Sequence, residues 1–201
     1  MCPRPVKSAD QDQQTRDKIL ELAYSAFAKN GYSKTSLQSI ANELGITRPA
    51  LYYHFASKED LLIEVYESVE SSIKTDPAAV IAADDEASFK RELEAYFRGI
   101  AGGLRSDDER LRFVSASESA STELPAMRQR VIQNNAVMLD NLEKIARRGM
   151  ELGAISESAD PKAIATYLSV VIFGVGDALL RHGIVDPGPL WEIVSKSVYA
   201  G

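Results

Sequence analysis

Eleven residues, GITRPALYYHF at 45–55, constrain the fold of this chain more than any other stretch, because they set a helix stop, a tight turn and a helix start in immediate succession. Just before them, LQSIANEL repeats Leu37, Ile40, Ala41 and Leu44 on one helical face. Gly45 supplies the left-handed conformation that ends a helix cheaply, Ile46 fills the space between two crossing helices, and Thr47 can cap the next one. Pro49 then falls in a first turn, where its missing donor costs little, and Leu51 and Phe55, four apart, point into a core. Thr35 with Gln38 has the form of a capping box, and Ser57 with Asp60 repeats it after the turn. The pattern predicts two short helices crossing over a three-residue turn.

Arg48, Pro49, Tyr52 and Tyr53 are left facing outward. Two tyrosines flanked by Arg48 and His54 suit a phosphate-lined groove, since each pairs an apolar ring with a hydrogen-bonding tip; packing against the rest of a small domain is the plainer alternative. Lys58 sits in the first turn of the following helix, where the helix dipole disfavours a cation. A bound phosphate would reverse that penalty, and a solvated side chain is the competing reading.

The stretch TRDKILELAYSAFAKNGYSKTSLQSIANELGITRPALYYHFASKEDLL, residues 15 to 62, resembles the N-terminal domain of TetR-type transcriptional regulators. The resemblance runs through Phe27 and Gly31, the Thr35-Ser36 start, the Ile40-Ala41 pair and the Leu51-Tyr52-Tyr53-His54-Phe55 run closed by Ser57-Lys58-Glu59. It implies an all-α protein of about nine helices, with a flexible arm at 1–14, a three-helix helix-turn-helix DNA-binding domain at 15–60 and a helical-bundle effector and dimerisation domain at 61–201. It also implies a regulator, usually a repressor, that binds a palindromic operator as a homodimer and is released by a small-molecule effector. Carried onto matching positions, phosphate contacts fall on Thr35, Ser36, Thr47, Tyr52, His54 and Lys58, and base contacts on Arg48, Pro49, Ala50 and Tyr53. Arg48 can pair in bidentate fashion with guanine, a discrimination of roughly 1 to 3 kcal/mol.

Charge refines this expectation. The chain carries a net −6, yet residues 1 to 60 hold eight Lys or Arg against seven Asp or Glu, a balance of +1, which leaves −7 for the remaining 141 residues. DNA affinity must therefore come from a local surface rather than a general basic field. The single cysteine, Cys2, forms no internal disulfide, and no apolar leader stands out in the first thirty residues, so a cytoplasmic location is expected. Arg4 and Lys7 on the proline-bearing head either brush DNA or have no role. An enzyme has little support: the two histidines, His54 and His182, come with no nucleophile elbow and no metal-spaced cluster, so neither catalytic residues nor a cofactor or metal are expected. A DNA-binding head whose body answers to a protein partner, or to no ligand, is the harder alternative to set aside.

In the body, Leu62, Val65, Tyr66, Val69 and Ile73 form the stripe of a connecting helix ended by Pro77, and Phe89, Leu93, Tyr96, Phe97 and Ile100 mark a fifth helix. Gly102 and Gly103 separate it from a sixth opened by Ser106 and Glu109, and a long seventh runs from about Thr122 to Glu151 with Met127, Val131, Asn134, Met138, Leu142 and Ile145 on one side. Asn134 on that apolar side needs a partner, either an effector or a neighbouring helix; Tyr96, Phe113, Met138 and Tyr167 are similar candidates, with plain core as the other reading. The segment 161–183, capped by Asp160 and begun by Pro161, is apolar on nearly every side. Asp177 and Arg181 interrupt it, so a helix held between its own core and a second subunit fits better than a membrane span. Tyr167, Val171, Gly174, Val175 and Ala178, with Leu190, Trp191, Val194 and Val198 of the last helix, are the expected dimer interface, a four-helix bundle across a two-fold axis.

Overall fold

The computed structural model describes residues 9–73, 76–105, 108–182 and 187–199, and within these every regular element is a helix. In chain order they are α1 (Ala9–Lys34), α2 (Leu37–Glu43), α3 (Arg48–His54), α4 (Lys58–Ile73), α5 (Ala78–Ile81), α6 (Glu86–Arg105), α7 (Asp108–Ser121), α8 (Pro125–Glu151), α9 (Pro161–His182) and α10 (Pro187–Val198). The all-α expectation holds, with ten helices among the described residues instead of nine. The additional one is α5, a single turn directly after the Pro77 that the sequence marks only as a stop.

Other boundaries also move. Helix α1 starts at Ala9, so 9–14 are helical rather than part of an arm; Asp10 and Asp12 in its first turn suit the positive end of the dipole. Its last residues bend at Gly31, where φ is 74°. Helix α6 passes through Gly102 and Gly103 and reaches Arg105, so these glycines do not end it. Cys2, Arg4, Lys7 and the proposed cap Ser106 lie outside the described residues.

The chain divides into two compact units, one comprising residues up to Ser71 together with Arg112–Arg130, the other Ser72–Leu111 and Val131 onward. This division does not coincide with the 60/61 boundary read from the sequence, because all but the last two residues of α4, most of α7 and the start of α8 belong with the N-terminal helices. In the first unit Ile19, Ala23 and Phe27 of α1 are buried with Leu37, Ile40 and Ala41 of α2, Leu51 and Phe55 around α3, Leu61, Leu62, Val65 and Tyr66 of α4, Phe113 of α7 and Met127 of α8. The Glu59 carboxylate accepts the Met127 N–H at 3.2 Å and Arg130 pairs with Glu67 at 2.8 Å, which ties the start of α8 to α4.

The second unit buries Val80, Phe89, Leu93, Phe97, Leu142, Ile145, Ile155, Leu168, Val175, Leu179, Trp191, Val194 and Val198 in one cluster. Trp191 lies 5.2 Å from the Phe97 ring, and the Arg148 guanidinium clamps the Ala83 carbonyl at 2.6 and 3.0 Å. Gly149 lets Ile155 and Phe89 close on the backbone of α8, since a Cβ there would meet their side-chain carbons at 2.6 and 2.7 Å. Asp160 caps α9 by accepting the Lys162 N–H at 3.0 Å. Pro161–Leu179 is long and apolar enough, at mean hydropathy 1.5, to cross a membrane, but it places Ala165, Leu168, Val175 and Leu179 in the unit's own core.

Candidate nucleic-acid interface

The geometry of the 45–55 turn follows its residue types. Gly45 adopts φ 65°, the Ile46 N–H returns to the Ala41 carbonyl at 3.0 Å, and the Thr47 hydroxyl accepts the Ala50 N–H at 3.3 Å. Leu51 and Phe55 are buried, as their spacing predicts. What α3 leaves in solvent is Thr47, Arg48, Pro49, Tyr52 and Tyr53, with Ala50 half-covered; Tyr53 is 74% and Tyr52 40% exposed. The Arg48 Nη2 donates to the Tyr52 hydroxyl at 3.2 Å and its guanidinium carbon lies 5.3 Å from the Tyr52 ring centroid. Guanidinium and phenol thus form one unit on the outer face.

The start of α2 corrects the capping assignment. Ser36, not Thr35, is the cap: its hydroxyl accepts the Ser39 N–H at 3.0 Å and stays exposed. Thr35 is 3% exposed, and its one hydroxyl proton is shared between the Gly31 and Ala26 carbonyls, 2.9 and 3.1 Å away. The inward hydroxyl thus meets the last turns of α1 at the bend, where Gly31 has φ 74°. The side chain expected at a phosphate is therefore turned into the protein.

Two further expected contacts are similarly engaged. The His54 imidazole is almost wholly covered, with Nε2 3.8 Å from the Asp12 carboxylate of α1 and the ring edge-on to Tyr53. Lys58 donates to the Tyr32 and Thr35 carbonyls at 2.8 and 3.0 Å and lies 3.9 Å from the centre of the Tyr32 ring. Burial lowers the Lys58 pKa below its usual value, while burial and the charge of Glu59 raise that of Tyr32. Two of the three ammonium donors are thus spent on the chain itself, with Ser57 capping α4 beside it through the Asp60 N–H at 3.0 Å. The surface left for a ligand is Ser36, Thr47, Arg48, Pro49, Tyr52 and Tyr53.

The expected effector residues divide between the two units. Phe113 belongs to the first unit, buried against Tyr24 with ring centroids 5.3 Å apart, which corrects its assignment to the body's pocket. Tyr96 and Met138 pack against the second unit's core, Asn134 is half-buried on α8, and the Tyr167 hydroxyl lies 2.8 Å from that of Ser197. Burial, with the charge of Asp76, raises the Tyr96 pKa. Phe97, Ile100, Ala101, Ile172 and Val175 of the second unit border an apolar crevice too tight to admit even a water molecule.

The residues expected at a dimer face divide between the protomer's core and its surface. Val175, Trp191, Val194 and Val198, expected against a partner, lie in the protomer's own core; Val171, Ala178 and Leu190 are half-buried, and Tyr167 and Gly174 are exposed. Beside Tyr167, the large apolar residues of α9 and α10 that face out are Val170, Phe173 and Ile193, at 62%, 43% and 66% exposure. The exposed Asp177–Arg181 pair, at 2.7 Å, shows which side of α9 faces out, and Phe173 and Val170 stand on that side one and two turns earlier, respectively.

Comparison with known proteins agrees with this geometry. Residues 19–65 match the family model described as bacterial regulatory proteins, tetR family. Over 67 residues, 33% of this chain and 31% of the relative, the sequence is 45% identical to the HTH-type transcriptional regulator AcrR of Shigella flexneri, so that likeness covers the head alone. The HTH-type transcriptional repressor AcnR of Corynebacterium diphtheriae is 25% identical over 90% of both chains. Among solved structures, SmeT in complex with triclosan superposes with a TM-score of 0.78 at 25% identity, over 94% of this chain and 93% of its own.

Proposed function

Because the chain belongs to the tetR family of bacterial regulatory proteins, we propose that it is a cytoplasmic DNA-binding transcriptional regulator, a repressor that binds a palindromic operator as a homodimer and is released by a small-molecule effector. The observation that carries this reading is the outer face of α3, where Arg48, Tyr52 and Tyr53 stand in solvent on a helix anchored by the buried Leu51 and by the buried Phe55 that follows it. Aromatic and guanidinium groups held out on a short, well-anchored helix suit the major groove, where base edges and phosphates offer partners for both. The apolar outward row Val170, Phe173 and Ile193 supports a second copy, and two recognition helices about 34 to 36 Å apart would meet successive major grooves.

For the effector, support comes from the full-length likeness to SmeT, a protein solved with triclosan bound. An effector that prefers one of two spacings between the recognition helices would loosen binding about 5- to 150-fold for a coupling of about 1 to 3 kcal/mol.

The decisive experiment is selection of duplexes from a random pool by the purified chain. Enrichment of an inverted repeat is the expected result, and a pool with no palindrome overturns the reading. On the selected duplex, a dimer that neutralises roughly six to ten phosphates gives a log-log salt slope of about −5 to −9. Adding triclosan as the first probe, in thermal-shift and operator-release assays together, tests the sensor: an effector both stabilises the protein and detaches it.

A further inference from the structure

We infer that Tyr52 is a positioning residue for base readout, holding the Arg48 guanidinium in the orientation that reads guanine. This rests on the DNA-binding role proposed above. The family pattern carried over from the sequence gives Tyr52 a phosphate alone, whereas the structure joins it to Arg48.

The geometry supplies the argument. Arg48 and Tyr52 are four apart, so they stack on one side of α3, and the aromatic ring leans back over the preceding turn toward the arginine. The guanidinium lies over that ring at 5.3 Å and gives one Nη2 proton to the phenol oxygen at 3.2 Å. A guanidinium has five N–H donors in a fixed plane. One is directed at Tyr52, and four remain, enough for the paired bonds to the O6 and N7 of guanine. The tyrosine hydroxyl, having accepted from Arg48, still has its own proton to donate, and a phosphate oxygen of the same groove is the complementary acceptor. One residue would then fix the protein on the backbone and the reading arginine on the base.

Without that support, an exposed arginine samples many rotamers, and part of its pairing strength goes into ordering it. The ring is held in turn. Tyr52 stays 40% exposed between the buried Leu51 and the 74% exposed Tyr53, so its backbone is anchored while its tip reaches solvent.

The test uses the full chain and the duplex it selects, together with a set of duplexes changed at one base pair each, and compares Tyr52→Phe, Arg48→Ala, Arg48→Lys and the Tyr52→Phe/Arg48→Ala double variant. Circular dichroism confirms that each variant is folded. Arg48→Ala and Arg48→Lys should abolish the preference for guanine at one position of each half-site, since lysine lacks the planar fork. Tyr52→Phe, which keeps the ring and removes the hydroxyl, should reduce that same preference about 2- to 10-fold, the range of a single hydrogen bond. It should leave preferences at other positions unchanged, and in the Arg48→Ala background it should alter no base preference.

A Tyr52→Phe loss that is equal across all duplexes, with the guanine preference intact, makes Tyr52 a phosphate contact only and overturns the inference. Loss of no single-base preference in Arg48→Ala overturns it too, while leaving DNA binding in place. Failure of the unmodified chain to select any sequence would instead strike the function itself.

Discussion

The Lys58 ammonium on α4 donates to the Thr35 carbonyl at 3.0 Å, so the first turn of one helix holds the strand of backbone that leads into another. The same group bonds the Tyr32 carbonyl and covers the Tyr32 ring. Lys58→Met keeps most of the stem and removes both bonds. It should lower stability by about 1 to 2 kcal/mol in denaturant unfolding, because two carbonyls lose a charged donor. If Lys58 were instead chiefly a phosphate contact, stability would hold and the salt slope of operator binding by the dimer would fall by about 2, one for each copy.

Gly149→Ala should destabilise the second unit by about 1 to 3 kcal/mol, since its methyl would press on Ile155 and Phe89, which are both buried. Thermal unfolding monitored with a matched Gly102→Ala control, where nothing stands within 4 Å, separates the clash from the intrinsic helix gain of alanine. Equal behaviour of the two variants would refute the close packing.

Assembly is expected to depend on the outward row. Val170→Glu and Ile193→Glu should give folded monomers in light scattering, with weak operator binding. Val194→Glu, at a position 1% exposed, should instead prevent stable folding, because a carboxylate would be buried without a partner. A folded Val194→Glu monomer would restore the original phasing of the interface.

Alkaline pH should destabilise the protein. Burial raises the pKa of Tyr32, Tyr96 and Tyr199 above the usual 10.0, so the unfolded chain gives up these protons first. Stability from these groups is complete below pH about 10 and is lost as pH rises from there through the folded values. Lys58 acts in the opposite sense: its lowered pKa means the unfolded state binds the extra proton, a contribution that grows with pH up to its usual 10.5. Three tyrosines against one lysine leave a net loss, to be read from unfolding curves and from late tyrosinate absorbance.

The residues legible in the sequence were those whose neighbours in sequence decide their environment. Leu51 and Phe55, the Gly45 stop, and the caps Thr47, Ser57 and Asp160 depend on spacing within one or two turns, and all appear as predicted. Thr35 and Ser36 are adjacent hydroxyls, and what separates them is the Ala26 and Gly31 carbonyls of α1 that Thr35 meets. His54 is drawn to Asp12, forty-two residues away. The phase of α9 was unreadable for a different reason: a helix apolar on nearly every side has no periodicity to mark its outward face, except at Asp177 and Arg181. Along α8 the stripe read as continuous divides in use, with Met127 in one core and Leu142 and Ile145 in the other.

The inward-turned Thr35, the Ser36 and Thr47 caps and the Lys58 bonds fix the backbone around α2 and α3 within the protein itself. A surface completed during folding meets its duplex as a rigid body, with little chain left to order on contact. The heat-capacity change of operator binding should then follow the area of the contact alone, without the larger negative excess that accompanies coupled folding.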